Sequence, residues 1–176
     1  IIEAESAWNE GVDGTDVLVG VVDAAVDYSQ PQLVTRLAKN SGEFGANGGV
    51  DDDGNSLVDD EFGWDFHGNK PQPTISMPAP NKGPNEHGSH VAGIILADPN
   101  EGSIKGVAYG ARLIPANFMD NEGGGTMSDG IKAIRYVAAR GAKVINASWG
   151  GYSCSENLRQ TIIDVTTNGN GGKGIL

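Results

Sequence analysis

An acidic side chain and an imidazole, Asp23 and His87, are the residues of this chain best placed for proton transfer. Asp23 follows the apolar run Val17–Val22, whose nearly continuous hydrophobic residues predict a parallel strand buried on both faces. His87 opens the apolar helical stretch that begins HGSHVAG. Open α/β sheets bind ligands beyond the carboxyl ends of their strands. An acid and a histidine that meet there can form two parts of an Asp–His–Ser proton relay.

Other interpretations of these residues stay open at this point. An acid after a strand is common as a helix cap or turn residue, so Asp23 alone carries little weight. His87 and His90 stand at i and i+3, a spacing that could present two metal ligands on one helical face. There is no H-E-x-x-H pattern and no cysteine nearby. We therefore predict a hydrogen-bonded structural role for His90 and an ordinary loop position for His67.

The elements that must position these residues alternate between strand and helix. In chain order they are a helix over Glu3–Asn9, a strand over Asp16–Val22, a helix over His87–Ala97, a strand within GVAYGARLIPANFMD, a helix over Ser128–Arg140, a buried strand in AKVINASWGG, a helix begun by the capping pattern of Ser153 and Glu156, and the start of a strand at Lys173–Leu176. The alternation predicts a doubly wound, mostly parallel α/β sheet with three layers.

Length and charge narrow the functional classes. The 176 residues suit one domain or a large part of one. The formal net charge of −11 disfavours nucleic acid as a partner, because phosphate binding needs a surplus of Lys and Arg on one face. We expect no membrane partner, since there is no basic amphipathic stretch and no apolar run near the ~20 residues of a membrane span. The first residues do not resemble a signal peptide, and Cys154 is the only cysteine, so no internal disulfide is expected.

The polar segment 41–86, rich in glycine and proline, contains a second chemical signal in DDDGNSLVDDEFGWDF. The candidate ligands are short oxygen-bearing side chains, the first three at alternate positions, together with one backbone carbonyl: Asp51, Asp53, Asn55, Leu57, Asp59 and Asp60. Oxygen ligands at such spacing are typical of loops that surround Ca²⁺. The alternative is a solvated acidic loop, but crowded carboxylates repel one another unless a counter-charge is present. The prediction is a calcium-binding insertion.

Five motifs in chain order resemble successive segments of the subtilisin-like serine proteases, the subtilases: VVDAAVDY, HGSHVAG, GVAYGARL, GGGTMSDGIKAI and VINASWGG. The resemblance covers nearly the whole chain. It implies that residues 1–176 are the N-terminal part of a single catalytic domain with the subtilisin-like fold. It also implies that Asp23 orients His87, and that His87 acts as base and then as acid in an endopeptidase. A peptide or protein substrate, secretion, and pairing with the remaining C-terminal part of the domain follow from the same resemblance.

The resemblance further implies the walls of a substrate cleft. The residues that would line it are Gly123, Gly124 and Gly125 on one side and Ser148, Trp149 and Gly150 on the other. Their backbone would pair with an extended peptide, so that main-chain hydrogen bonds give affinity and side-chain pockets give selectivity. Each segment also has a simpler interpretation, as a glycine-rich turn and as an ordinary core strand.

The chain departs from the subtilase pattern at several positions. Ala24-Ala25 stand where Thr or Ser and a glycine usually follow the acid, which predicts weaker hydrogen bonding around that acid. Glu86 replaces the usual glycine before the histidine, and its carboxylate is expected to favour the charged imidazole. The segment DPNEGSIKG, with Asn100 and backbone carbonyls, resembles the calcium loop of the family. The aspartate that normally joins that loop is matched by Gln32.

No activated serine is evident, because the Gly-Thr-Ser-Met-Ala helix start of the family does not occur. Ser148 in NASWG is a weak alternative nucleophile, since the G-x-S-x-G elbow requires a glycine where Asn146 stands. We therefore expect residues 1–176 alone to be inactive, with the serine supplied by the rest of the domain. Two rival functions stay open: a peptide-binding module without catalysis, and a calcium-dependent scaffold.

Overall fold

A computed structural model describes residues 2–43, 45, 48–71, 86–151 and 154–176. The helices are α1 (Ala4–Asn9), α2 (Pro31–Val34), α3 (His87–Leu96), α4 (Met127–Ala139) and α5 (Glu156–Gly172). The strands are β1 (Leu18–Asp23), β2 (Trp64–Asp65), β3 (Lys70–Pro71), β4 (Arg112–Asn117) and β5 (Val144–Asn146). None of the helices in these ranges is both long enough and apolar enough to span a membrane.

The strands form one sheet in the order β3-β2-β4-β1-β5, parallel except for the short β3. β1 pairs with β4 over its whole length, in a register that sets Leu18 opposite Arg112 and Asp23 opposite Asn117. Every β1 residue after Leu18 is buried, as its nearly continuous apolar sequence predicts. The predicted mostly parallel α/β sheet is therefore confirmed.

Helices pack on both faces of the sheet and produce three layers. Alternate residues of β1 point to opposite faces, so Val19 and Val21 join one core and Val22 joins the other. The first core includes α2 and α3 through Leu33, Ala92 and Leu96, and the second includes α4 through Ala133, Ile134 and Val137. Gly20 allows α4 to approach closely, because an added Cβ would lie 2.7 Å from Val137.

Strand β5 differs from its prediction, since its residues are half-buried rather than buried. Only one neighbouring strand of the described sheet, β1, covers it. Its other edge meets the last residue: Ile145 N–H donates to Leu176 O at 2.8 Å, and Leu176 N–H donates to Lys143 O at 3.1 Å. The predicted strand start at 173–176 thus places its final residue beside β5 in a strand-like contact.

Helix α5 begins two residues later than predicted. Ser155 is the N-cap, and its Oγ accepts the N–H of Leu158 at 3.2 Å. The prediction that Ser153 caps this helix was wrong, and Ser153 itself lies outside the described residues. Near the other end, Gly169–Gly171 have non-helical dihedral angles. The short elements α2, β2 and β3 were not predicted, and residues 72–85 of the acidic insertion lie outside the described part of the chain.

Candidate active site

Strand β1 carries Asp23 at its carboxyl end, near the middle of the sheet. The side chain is fully buried, and Oδ1 lies 2.6 Å from Nδ1 of His87. The same oxygen accepts a hydrogen bond from the N–H of Ala24 at 2.7 Å. Among the described residues, Oδ2 has no hydrogen-bond partner. Among these residues, no other donor takes the place of the hydroxyl that a Thr or Ser at position 24 would have provided.

Helix α3 presents His87 as its first residue, with half of the imidazole surface exposed. Gly88 lies against the backbone that follows β1, where an added Cβ would be 2.2 Å from the carbonyl oxygen of Ala24. Ser89 makes a second connection, because its Oγ accepts the N–H of Asp27 at 2.8 Å. These two contacts fix α3 to the loop after the acid. They explain why an acid and a histidine 64 positions apart in sequence meet.

The contact determines which imidazole nitrogen is basic. An ionised carboxylate only accepts hydrogen bonds, so Nδ1 of His87 carries a proton and donates it to Asp23. Nε2 is then left as the nitrogen able to take a proton. The distance of 2.6 Å is within the reach of about 2.6–3.2 Å that proton relays need. The arrangement can orient a base at the rim of the sheet, and the catalytic roles of both residues stay predictions.

Two more polar residues lie beside Asp23 along the carboxyl edge of the sheet, and the sequence analysis missed both. Asn117 ends β4 opposite Asp23, and Asp65 ends β2 opposite Asn117. Both are buried, and Asn117 Nδ2 donates to Asp65 Oδ1 at 2.8 Å. The sequence signal was partial, because Asn117 follows an apolar stretch in the same way as Asp23, whereas only Phe62, Gly63 and Trp64 precede Asp65.

The two predicted cleft walls both contact Phe118, a residue that the sequence analysis did not single out. An added Cβ on Gly125 would lie 2.9 Å from the Phe118 ring. The ring centroids of Phe118 and Trp149 are 4.8 Å apart. Trp149 Nε1 also donates to the carbonyl of Val22 at 2.9 Å, one residue before Asp23. Both walls therefore stand at the same end of β1 as the acid.

Some polar groups of these walls already have partners. The predicted wall residues are all exposed or half-exposed: Gly123, Gly124, Gly125, Ser148, Trp149 and Gly150. Gly124 N–H donates to Asp120 Oδ1 at 2.7 Å, and its carbonyl accepts the Asp120 N–H at 2.7 Å. The Ser148 hydroxyl accepts a hydrogen bond from Asn146 Nδ2 at 2.9 Å. A peptide at this wall would compete with Asp120 for the N–H of Gly124.

The acidic insertion brings three carboxylates together. Oxygens of Glu43, Asp53 and Asp60 all lie within 4.8 Å of one another. Glu43 and Asp60 are buried, and Asn40 Nδ2 donates to Asp53 at 2.8 Å and to Asp60 at 2.9 Å. Glu43 accepts the backbone N–H groups of residues 52, 53 and 59. The group contains no histidine. Oxygen donors of this kind suit a hard cation such as Ca²⁺, which would have to displace the NH₂ group of Asn40 from Asp53 and Asp60.

The other predicted metal ligands occupy different positions. Asn55 joins the cluster through Nδ2, which donates to both of its aspartates at 3.1 and 3.2 Å. Asp51 accepts the backbone N–H groups of residues 54, 55 and 56, and Asp59 accepts that of residue 49. The side chain of Leu57 packs against the core beneath α4. Glu43 was missed because it precedes the motif without any regular spacing.

Asp60 links the acidic cluster to helix α4. Its Oδ2 accepts the hydroxyl of Tyr136 at 2.6 Å and lies 3.3 Å from Arg140 Nη1. Arg140 also donates to the Tyr136 hydroxyl oxygen at 2.6 Å. Burial raises the pKa of Asp60, although the hydrogen bonds of Tyr136 and Asn55 and the charge of Arg140 oppose the shift. A cation at the cluster would therefore favour the ionised carboxylate that burial disfavours.

Comparison with known proteins places these features in a family. A family model described as "Subtilase family" matches residues 14–176. The chain is 36% identical over 130 residues to Subtilisin-like protease 1 of Plasmodium vivax, an alignment covering 73% of this chain and 19% of that protein. It is 30% identical over 182 residues to the Minor extracellular protease Vpr of Bacillus subtilis, an alignment covering 97% of this chain and 20% of that protein. It is 29% identical over 170 residues to the Major intracellular serine protease of the same species, covering 96% of this chain and 45% of that protein. The chain spans about a fifth of the length of the first two relatives.

Proposed function

The chain belongs to the subtilase family, as its motifs predict, and on this premise we propose that it supplies the acid and the base of a serine endopeptidase of the subtilisin type. The observation that carries the proposal is the 2.6 Å contact between the buried Asp23 carboxylate and the half-exposed His87 imidazole. The names of the relatives, which are proteases, support the same reaction class.

In the proposed reaction, Asp23 keeps the proton of His87 on Nδ1 and stabilises the imidazolium that forms. Nε2 takes the proton of a serine hydroxyl as the serine oxygen attacks the scissile carbonyl carbon. The same proton then passes to the leaving amine as the peptide C–N bond breaks, which leaves an acyl-enzyme for water to hydrolyse. We expect this serine from a part of the protein beyond these 176 residues.

The substrate in this proposal is an extended peptide held between the segments 123–125 and 148–150. The shared contact with Phe118 and the Trp149 hydrogen bond to Val22 support this location, because they hold both segments beside Asp23. Backbone pairing at two walls would add the peptide as an extra strand. Side-chain preference would then depend on pockets next to these walls.

We also propose that Glu43, Asp53 and Asp60 hold Ca²⁺, whose charge would stabilise the acidic insertion. The mutual proximity of their oxygens supports the proposal, and crowded carboxylates need a counter-charge. Secretion stays a proposal as well. The name of Vpr, an extracellular protease, supports it, whereas another relative is named as an intracellular enzyme.

The full-length protein tests the peptidase proposal with a fluorogenic peptide and a serine-directed phosphonate probe. We expect His87→Ala and Asp23→Asn to lower kcat/KM by about 10⁴-fold, because either change removes the oriented base. His90→Ala is the matched control, since His90 is a second exposed histidine on the same helix, and it should keep its activity. If His87→Ala retained activity, His87 would not be the base and the assignment of the two residues would fail. If the unsubstituted protein bound peptides without cleaving them, the non-catalytic peptide-binding function would replace this proposal.

A further inference from the structure

The loop 98–104, which leads from α3 towards β4, encloses the side-chain amide of Gln32. Gln32 Nε2 donates to the carbonyl oxygen of Ile104 at 2.7 Å and to that of Asp98 at 3.3 Å. Backbone carbonyls can only accept hydrogen bonds, so the amide atom between them must be the NH₂ group. The amide therefore supplies the partial positive charge at the centre of the loop.

The loop fits tightly around this side chain. An added Cβ on Gly102 would lie 2.7 Å from Cδ of Gln32 and 2.9 Å from both terminal atoms of its amide. The backbone carbonyl of Gln32 accepts the N–H of Asp98 at 3.0 Å. Helix α2 and the loop are thus joined through both the side chain and the backbone of one residue.

The buried acid of the loop is also fully engaged by protein groups. Asp98 forms an ion pair with Arg36 and accepts hydrogen bonds from Thr35 Oγ1 at 3.0 Å and from the backbone and side chain of Asn100 at 3.0 and 3.1 Å. Burial opposes its ionisation, but these hydrogen bonds and the Arg36 guanidinium together lower the pKa of Asp98. A cation bound here would lie beside Arg36, a group of the same charge.

The loop therefore does not fit a calcium site, although the segment DPNEGSIKG with Asn100 resembles the calcium loop of the family. Ca²⁺ takes about 6–8 oxygen ligands. Here the NH₂ group of Gln32 binds two carbonyls that could serve as ligands, and Arg36 neutralises the Asp98 carboxylate. We infer that the Gln32 amide takes the place of a cation in this loop, so that its order is independent of calcium.

Hydrogen exchange of loop 98–104 in the full-length protein tests the inference without any activity measurement. Gln32→Met keeps the side-chain length but removes both donors. In saturating Ca²⁺ its loop amides should exchange about tenfold faster than those of the unsubstituted protein. Gln30→Ala is the matched control, since its amide binds the half-buried Asp27 instead, and loop exchange should not change. Unchanged exchange in Gln32→Met would overturn the inference.

Gln32→Asp provides the reciprocal measurement. A carboxylate between two carbonyl oxygens repels them unless a cation intervenes, so loop protection should now depend on Ca²⁺. In the unsubstituted protein, a chelator should change the exchange rates of the loop 98–104 amides by no more than about twofold. These rates are compared with those of the β1 amides, so that any loosening of the whole protein is subtracted. A loop that loses protection in chelator more than β1 does would show that it holds a cation after all. The outcome does not depend on whether the protein is a peptidase.

Discussion

Replacement of Gly88 by alanine tests whether the close approach of α3 to β1 sets the geometry of Asp23 and His87. The new Cβ would lie 2.2 Å from the carbonyl oxygen of Ala24, whereas C···O contacts are ordinarily at least about 3.3 Å. The start of α3 must therefore move by about 1 Å. A displacement of that size would lengthen the 2.6 Å contact between Asp23 Oδ1 and His87 Nδ1. We expect kcat to fall on the order of 10²-fold as a result. Overpacking at this position should also lower the free energy of unfolding by about 1–3 kcal/mol.

Gly93, on the same helix, provides the matched control, because an added Cβ there meets nothing within 4 Å. Gly93→Ala should leave kcat unchanged and raise the free energy of unfolding by up to about 1 kcal/mol, since alanine is the better helix former. In the full-length protein, kcat would be measured with a fluorogenic peptide and stability by urea denaturation. Equal kcat values for Gly88→Ala and Gly93→Ala would refute the reasoning, even if Gly88→Ala were less stable.

Three further substitutions probe contacts around the site. Trp149→Phe removes the hydrogen bond to Val22. We expect it to lower the free energy of unfolding by about 1 kcal/mol and to raise KM for peptides. An unchanged KM would argue against a role of Trp149 in the cleft wall. Tyr136→Phe removes the shortest donor of buried Asp60 and should cost about 1.5–3 kcal/mol in urea denaturation, so full stability would contradict the link to α4. Asp98→Asn should cost about 3 kcal/mol at neutral pH. Because the pKa of Asp98 is lowered in the folded protein, that cost is fully present above its ordinary value of 3.8 and is lost as pH falls through the lower, folded value. A cost that did not shrink as the pH was lowered below 3.8 would contradict this assignment.

The fold could be predicted wherever the hydrophobic pattern had a regular period. Helix α3 was predicted over His87–Ala97 and runs over His87–Leu96, because its apolar residues repeat at helical spacing. Helix α2 and strand β2 have only four and two residues, too few for any period to show. Strand β2 exists through its pairing with β4, which the sequence of β2 does not reveal. The partial burial of β5 likewise depends on its neighbours rather than on its own apolar residues.

Within the candidate site, the sequence identified Asp23 and His87 and missed residues whose roles depend on contacts with other elements, including Asn117 and Asp65 at the ends of β4 and β2. Asp23 ends a strand and His87 begins a helix, so their meeting follows from the topology of a parallel sheet. Glu43 lies in a turn, and such backbone has no regular period that a sequence pattern could show. Gln32 was identified as a mismatch in a calcium loop, but only the direction of its amide reveals that it binds the loop carbonyls itself. Phe118 is an ordinary apolar residue whose role comes from its two ring contacts.

Helix α4 joins the acidic insertion to the predicted substrate cleft. Asp60 contacts Tyr136 and Arg140 near the end of α4, and the helix begins after its N-cap Thr126, which directly follows Gly125 of the cleft wall. The hydrogen-bonded backbone of a helix is stiff, so a displacement at one end is felt at the other. If loss of Ca²⁺ lets Asp60 move, the glycine wall should lose part of its support. Calcium dependence of peptide binding would then come from the position of α4, and the insertion would act as a brace for the cleft rather than as a separate binding module.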